Sequence, residues 1–346
     1  MQYAVQVTGA IHDDDWAERS DRWAGVRSEV ADVHGVRIHL LRADPDPEAP
    51  RGAPAHLLVH PMGAGAWWWL DLLQPLATYG PVIAIDLPGS GRTPPPSRRA
   101  ARAEASAQFL RDLSAELGLE RVVVHGHSSG GLVSVLFADL APKCVERLVL
   151  ASPALPGDPD PPLQMFAWQT IGRVLLFAAP LLGRVLMRAS LRFKAAAWQR
   201  WLDNPADPKL VEGIGRTGGN PSRISPQILA LMAEEINWYR SLRWRRDSAV
   251  TGLASAVAAM TVQQGAARAA MDRITAPTLL LWGDEDRMIP RVLIDQLIAR
   301  RPDWDLHVFE TVGHLLPWEC PDAYVEVVGR WLAEVSPDFS VAPGPR

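Results

Sequence analysis

The stretch that decides the fold is Val122-Val123-Val124-His125-Gly126-His127-Ser128-Ser129-Gly130-Gly131. Consecutive β-branched residues without polar alternation read as a parallel strand covered on both faces. The residues from Gly130 to Leu140 read as a helix, so Ser128 falls on the turn between them. A sharp strand-to-helix turn exposes a serine hydroxyl. It also aims the next backbone N–H, and the positive end of the helix, at charge developing beside that oxygen. So tight a turn leaves no room for side chains on either flank, which accounts for Gly126 and Gly130. A serine hydroxyl is a weak nucleophile, however. It needs a base within reach and donors for an oxyanion.

Working outward, short apolar runs recur at Ala55–His60, Pro81–Leu87, Glu146–Ser152, Thr278–Trp282 and Asp305–Glu310, and Val36–Ala43 alternates as a hairpin strand does. Helical patterns lie between them, at Ala66–Tyr79, Ala101–Leu117, Arg291–Arg300 and Asp322–Ala333. Strands alternating with helices predict an α/β fold with a doubly wound, mostly parallel sheet. No strand pattern is evident across residues 155–271, where Trp, Leu, Ala and Arg recur in helical stretches. An interruption of that length predicts a folded helical cap inserted in the core. The expected layout is an N-terminal extension at 1–27, a core at 28–154 and 272–335, the cap at 155–271, and a flexible tail at 336–346.

The acid and base are sought where open α/β sheets place their sites, at the C-terminal ends of the strands. The strand Thr278–Trp282 runs into Gly283-Asp284-Glu285-Asp286, and Asp305–Glu310 runs into Thr311-Val312-Gly313-His314. A carboxylate and an imidazole therefore fall on the same edge as Ser128, in the order serine, acid, histidine.

These segments, with His60-Pro61-Met62-Gly63 and Asp86-Leu87-Pro88-Gly89-Ser90-Gly91, resemble the α/β-hydrolase superfamily over about residues 30 to 335, the cap omitted. The resemblance implies that Ser128 attacks a carbonyl, that His314 carries its proton to the leaving group, and that Asp286 orients and stabilises the imidazolium. Asp284 is the rival acid. The family places the acid three residues after the glycine, which selects Asp286. The oxyanion hole would use the N–H groups of Ser129 and Met62. Here the sequence departs from the family, with Pro61 where glycine is usual. Serine at residue 128 also separates the chain from the haloalkane dehalogenase and epoxide hydrolase branches, which use aspartate there.

Composition narrows the functions. The chain has 346 residues, 48% of them hydrophobic and 21% charged, with a formal net charge of −4. That is ordinary for a globular enzyme and gives no reason to expect nucleic acid as a partner. The apolar stretch from Val174 to Gly183 is too short to cross a bilayer, which needs ~20 apolar residues, and no secretory signal opens the chain, so stable membrane insertion is not expected and a cytoplasmic location is. The two cysteines, Cys144 and Cys320, have no disulfide or metal-ligand spacing. His56 and His60 lie four apart on a strand, ~13 Å, too far to share a metal. Neither a metal nor a cofactor is expected.

His60, His125 and His127 read as packing or hydrogen-bonding groups around the site. Trp67-Trp68-Trp69 follow the oxyanion loop and read as packing beneath the cap, the alternative being that at least one faces the cap or substrate, since on a helix the three point in different directions. Trp168, Trp198, Trp201, Trp238 and Trp244 pose the same choice. Arg243-Trp244-Arg245-Arg246, with Arg240 just before, reads as a solvated basic face, the alternative being a carboxylate-binding role. The expected activity is hydrolysis of a hydrophobic carboxylic ester or related acyl compound, such as a lactone or thioester, through an acyl-serine. The same triad would also serve carbon–carbon bond hydrolysis, cofactor-free perhydrolysis or biosynthetic acyl transfer and cyclisation. A low-turnover ligand-binding protein on this fold is the rival from another class.

Overall fold

The computed structural model describes residues 16–97, 99–158, 215, 219–261 and 263–335. Eight strands form one sheet in the order β1-β2-β4-β3-β5-β6-β7-β8. They are β1 Arg27–Val33, β2 Val36–Ala43, β3 Ala55–Val59, β4 Val82–Ile85, β5 Val122–His127, β6 Val145–Ala151, β7 Thr278–Gly283 and β8 Asp305–Phe309. From β4 to β8 every pairing is parallel, while β1 and β2 form an antiparallel hairpin laid against β4. The hairpin turns at His34 and Gly35, with φ of 52° and 81°. Both residues being left-handed matches a two-residue turn whose twist suits the strands.

The helices are α1 Trp16–Arg19, α2 Leu70–Leu76, α3 Ala103–Glu116, α4 Ser129–Leu140, α5 Pro226–Ser241, α6 Arg243–Met260, α7 Gln264–Arg273, α8 Arg291–Arg300, α9 Leu316–Glu319 and α10 Pro321–Val335. Period-two alternation divides the sheet's side chains between two cores. Leu58, Ala84, Val123 and Val149 pack with α2 and α10, whereas Leu57, Ile83, Val124 and Leu148 pack with α3, α4, α7 and α8. Both faces are therefore covered, as the unalternating runs require.

Residues 16–26 are part of this body rather than an appendage. Trp16 and Trp23 are fully buried, and the Trp23 indole donates to Asp71 at 2.7 Å. Of the cap expected at 155–271, the described residues show α5, α6 and α7, between β6 and β7. Trp168, Trp198, Trp201, the apolar stretch 174–183 and the tail 336–346 lie outside the described residues. Among those described, no helix is long and apolar enough to cross a membrane.

Candidate active site

Ser128 sits between β5 and α4 with φ 52° and ψ −118°, a conformation that side chains seldom adopt. The strain is held from both sides. The Ser128 N–H donates to Ala151 on β6, and its carbonyl accepts from Gly131 and Ala154. A Cβ on Gly130 would lie 2.3 Å from the Val59 carbonyl oxygen, and one on Gly126 would lie 2.7 Å from the Gly130 carbonyl. Both contacts are to backbone, which cannot move aside cheaply. Gly130 is there because the turn runs against β3, and Gly126 because the strand end runs against the first turn of α4.

Asp286 and His314 arrive on the same edge. The loop that follows β8 passes over the end of β7, where a Cβ on Gly283 would come within 2.3 Å of the Val312 carbonyl oxygen. That close approach brings His314 Nδ1 to 2.8 Å from Asp286 Oδ2, while Asp286 Oδ1 accepts the N–H groups of Met288 and Ile289. Burial would raise the Asp286 carboxyl, but the His314 ring and the Ile289 amide outweigh it and hold it below its ordinary value. Asp284, the rival acid, is exposed.

His127, the residue before Ser128, ties the base to the serine turn. Its Nε2–H donates to the His314 carbonyl at 2.8 Å, and the two rings lie 4.9 Å apart. Burial, together with the neighbouring His314, pushes His127 down to about 3, so it stays neutral at ordinary pH. Its ring stacks on Trp68, centroid to centroid 5.3 Å. On the other flank of the turn, the Met62 N–H donates to Ser129 Oγ at 2.7 Å. Beside this pair lies a cavity of about 50 Å³, lined by Met62, Ser129, Leu87, Val133, Ser248 and Gly252 among others.

Residues 57–327 match the alpha/beta hydrolase family. The chain belongs to that family. It is 27% identical over 285 residues to a 2-hydroxy-6-oxononadienedioate/2-hydroxy-6-oxononatrienedioate hydrolase of Cupriavidus pinatubonensis, covering 81% of this chain and 87% of that protein. A Pseudomonas putida protein of the same name is 26% identical over 317 residues, covering 90% of this chain and 96% of the relative. Among solved structures, the epoxide hydrolase CorEH superposes with a TM-score of 0.63 at 21% identity, covering 90% of this chain and all of the other. The last likeness is one of fold. With hydrolases as its relatives, the chain is an enzyme of the alpha/beta-hydrolase type.

Other residues singled out by sequence have structural partners. The family loop Asp86–Gly91 is organised by Asp86, which accepts His39 Nδ1 at 2.8 Å and the N–H groups of Ala66 and Arg92 at 2.6 Å each. Burial opposes its charge, but His39 and the two amides bring the carboxyl down to about 2. His60 donates to its neighbour's carbonyl at Pro61 and accepts the Leu87 N–H, pinning the oxyanion loop to that same segment. His125 lies deeper, in a buried chain from His56 (2.9 Å) to Tyr324 (3.1 Å). His56 thus partners an imidazole on the adjacent strand. Burial pushes the Cys320 thiol up to about 12 and raises that of Cys144.

Trp67, Trp68 and Trp69 lie on a 3₁₀ turn and all three are buried, in keeping with the packing alternative. Trp68 and Trp318 pack ring on ring at 3.7 Å, and the Trp318 indole donates to the Trp68 carbonyl. The basic cluster is not simply a solvated face. Arg243 is exposed, but Arg245 is 1% exposed, paired with Glu235 at 3.0 Å and set over the Trp238 ring at 4.2 Å. An arginine pointing inward from a helix of near-uniform polarity leaves no mark in the linear pattern.

Sequence reasoning also passed over Glu319, a buried carboxylate behind the His314 loop. An acid within Leu315-Leu316-Pro317-Trp318-Glu319 was the available signal, since an acid amid apolar residues needs partners.

Proposed function

We propose that this chain is a serine hydrolase acting at a carbonyl carbon, with Ser128 as nucleophile, His314 as base and Asp286 as the acid that orients it. The observation that carries the reading is the 2.8 Å contact of Asp286 with His314 Nδ1, on a loop bonded to His127, the neighbour of a serine held at positive φ. With Nδ1–H given to the carboxylate, Nε2 is left as the basic nitrogen. It takes the Ser128 proton during attack and returns it to the leaving group, after which water attacks the acyl-serine by the same route. The tetrahedral oxyanion forms at the start of α4, where the Ser129 N–H and the helix end favour negative charge. Met62 supplies the second N–H. Helices α5–α7 belong to a cap over this edge, and the substrate is a small molecule with a hydrophobic acyl part.

A carboxylic ester, lactone or thioester fits this chemistry directly. A second reading is favoured by the relatives' names. A 2-hydroxy-6-oxononadienedioate carries hydroxyl, keto and carboxylate groups but no ester, so its hydrolysis breaks a carbon–carbon bond beside the ketone. The same attack at a ketone expels a carbon leaving group, provided the released electron pair is delocalised and protonated. A fluorophosphonate probe should label the wild type and not Ser128→Ala; labelling that persists in the variant refutes the nucleophile. A panel of p-nitrophenyl esters run beside a 2-hydroxy-6-oxodienoate, followed by loss of its dienol absorbance, then separates the two leaving groups.

A further inference from the structure

The loop that carries His314 is held from behind by one carboxylate. Glu319 Oε2 accepts the Gly313 N–H at 3.0 Å, and Oε1 accepts the Leu315 N–H at 3.0 Å. The residues on either side of His314 are therefore fixed by the two oxygens of a single side chain, itself 7% exposed. Oε2 also accepts the N–H of Asn220, which belongs to the segment inserted between β6 and β7, at 3.1 Å. A carboxylate bearing three N–H bonds is well satisfied without a basic side chain against it. Burial still raises the Glu319 carboxyl, the three amides and the Arg223 charge pulling it back only in part.

The junction has further contacts. Arg223, three residues beyond Asn220, donates to Thr311 Oγ1 at 2.7 Å, on the approach to His314. Thr311 is itself held at φ 58°. Gly219 and Gly313 meet backbone to backbone, since a Cβ on Gly313 would lie 3.0 Å from the Gly219 Cα. The inserted segment thus touches the His314 loop through Gly219, Asn220 and Arg223, and among the described residues Glu319 accepts hydrogen bonds from both.

We propose that Glu319 is a positioning residue for the reaction: it sets the backbone on both sides of His314 and ties that backbone to the inserted segment at Asn220. The inference rests on the reading of His314 as base. An imidazole must lie within hydrogen-bond reach of both nucleophile and acid, and a displacement of about 1 Å in such a constellation can cost up to 100-fold in rate. Asp286 fixes the ring through Nδ1; Glu319 fixes the chain from which the ring projects. Because the same oxygen serves Gly313 and Asn220, a shift of the inserted segment is felt at the base.

The test compares Glu319→Gln and Glu319→Ala in the full chain, with kcat expressed per fluorophosphonate-labelled site so that misfolded protein drops out. Glutamine keeps one acceptor for Gly313 and Asn220 but turns an N–H₂ toward Leu315. It should lose about tenfold in kcat and alanine about 100-fold, with KM within about threefold in both. Wild-type kcat per labelled site in both variants would overturn the proposal. Should alanine fail to fold, the glutamine variant and amide hydrogen exchange in the wild type decide. The amides of Gly313, Leu315 and Asn220 should be protected together. Fast exchange at Asn220 with slow exchange at the other two would overturn the tie to the inserted segment. A wild type that neither labels nor turns over would instead refute the underlying assignment of Ser128 and His314, a result distinct from either.

Discussion

The backbone N–H of Met62 points at the side-chain oxygen of Ser129, 2.7 Å away. If Met62 is to serve an oxyanion, that bond must be exchanged for one to the substrate. Ser129→Ala removes the competing acceptor while keeping the residue's own N–H. The expected outcome is a kcat/KM at or above wild type, and not more than about threefold below it. A loss of 100-fold or more, the usual scale for removing an oxyanion donor, would show that the Ser129 hydroxyl itself bonds the developing charge. Steady-state kinetics on one activated ester decides the matter.

Asp286→Asn should separate orientation from folding. Asparagine retains an oxygen for the Met288 and Ile289 amides, so the loop after β7 keeps its shape. Its N–H₂ group, however, opposes the Nδ1–H of His314 and favours the wrong tautomer. The expected fall in kcat is roughly 10³- to 10⁴-fold, the scale known for such a replacement in another serine hydrolase, with the thermal midpoint little changed. Asp284→Asn, at an exposed position, should stay within about threefold of wild type. Equal losses in both variants would overturn the choice between the two acids.

What the sequence displays here is set by what is local. β5, the serine turn and α4 are contiguous, and their glycines mark where backbone meets backbone, so that region was legible in one stretch. The mostly parallel sheet, and the placing of Asp286 and His314 after the ends of strands, followed from buried runs and chain order, whereas the order of strands within the sheet did not. The hairpin strand β1 was missed because its burial is irregular and one side faces solvent. Its turn, His34-Gly35, was the readable sign. Arg245 was illegible for a different reason, and Glu319 showed only as an acid amid apolar residues with no partner in view. Each is a charged residue whose burial depends on partners far away or across a turn, and linear periodicity reports faces, not pairings.

The buried pair of Arg245 with Glu235 should make single replacements costly and the double one less so. Arg245→Leu leaves the Glu235 carboxylate enclosed near Trp238 without this cation. About 3–5 kcal/mol of stability should be lost, the usual cost of breaking a buried pair from one side. The double variant Arg245→Leu/Glu235→Leu should recover most of that loss. Urea unfolding of the four proteins of the cycle measures it, and additive losses would show that the two side chains are not coupled.

The buried histidines should make the protein labile in mild acid. His56 and His127 are both pushed down to about 3, by burial first, with Arg147 adding to the effect on His56 and His314 on His127. His125, bonded between His56 and Tyr324, is also held well below its ordinary value, by burial first. In the unfolded chain each titrates near 6.5. Between those values the unfolded state holds protons that the folded state refuses, so stability falls as pH drops from about 6.5 toward 3. The slope approaches 1.4 kcal/mol per pH unit for each histidine, and His56 and His127 together should remove roughly 4 kcal/mol between pH 7.5 and 5. Asp86 acts in the same direction but later, because its carboxyl, held down to about 2, loses its contribution only as the pH falls below about 4. Glu319 and Asp71, both raised by burial, act in the opposite sense as they protonate and so are not the source of a loss. The loss between pH 7.5 and 5 is therefore assigned to imidazoles. Urea unfolding at the two pH values should show it, and His56→Gln, which keeps a polar partner for His125 but cannot titrate, should lose about 2 kcal/mol less over the same interval. A stability that stays level down to pH 5 would mean that these rings accept protons in the folded state.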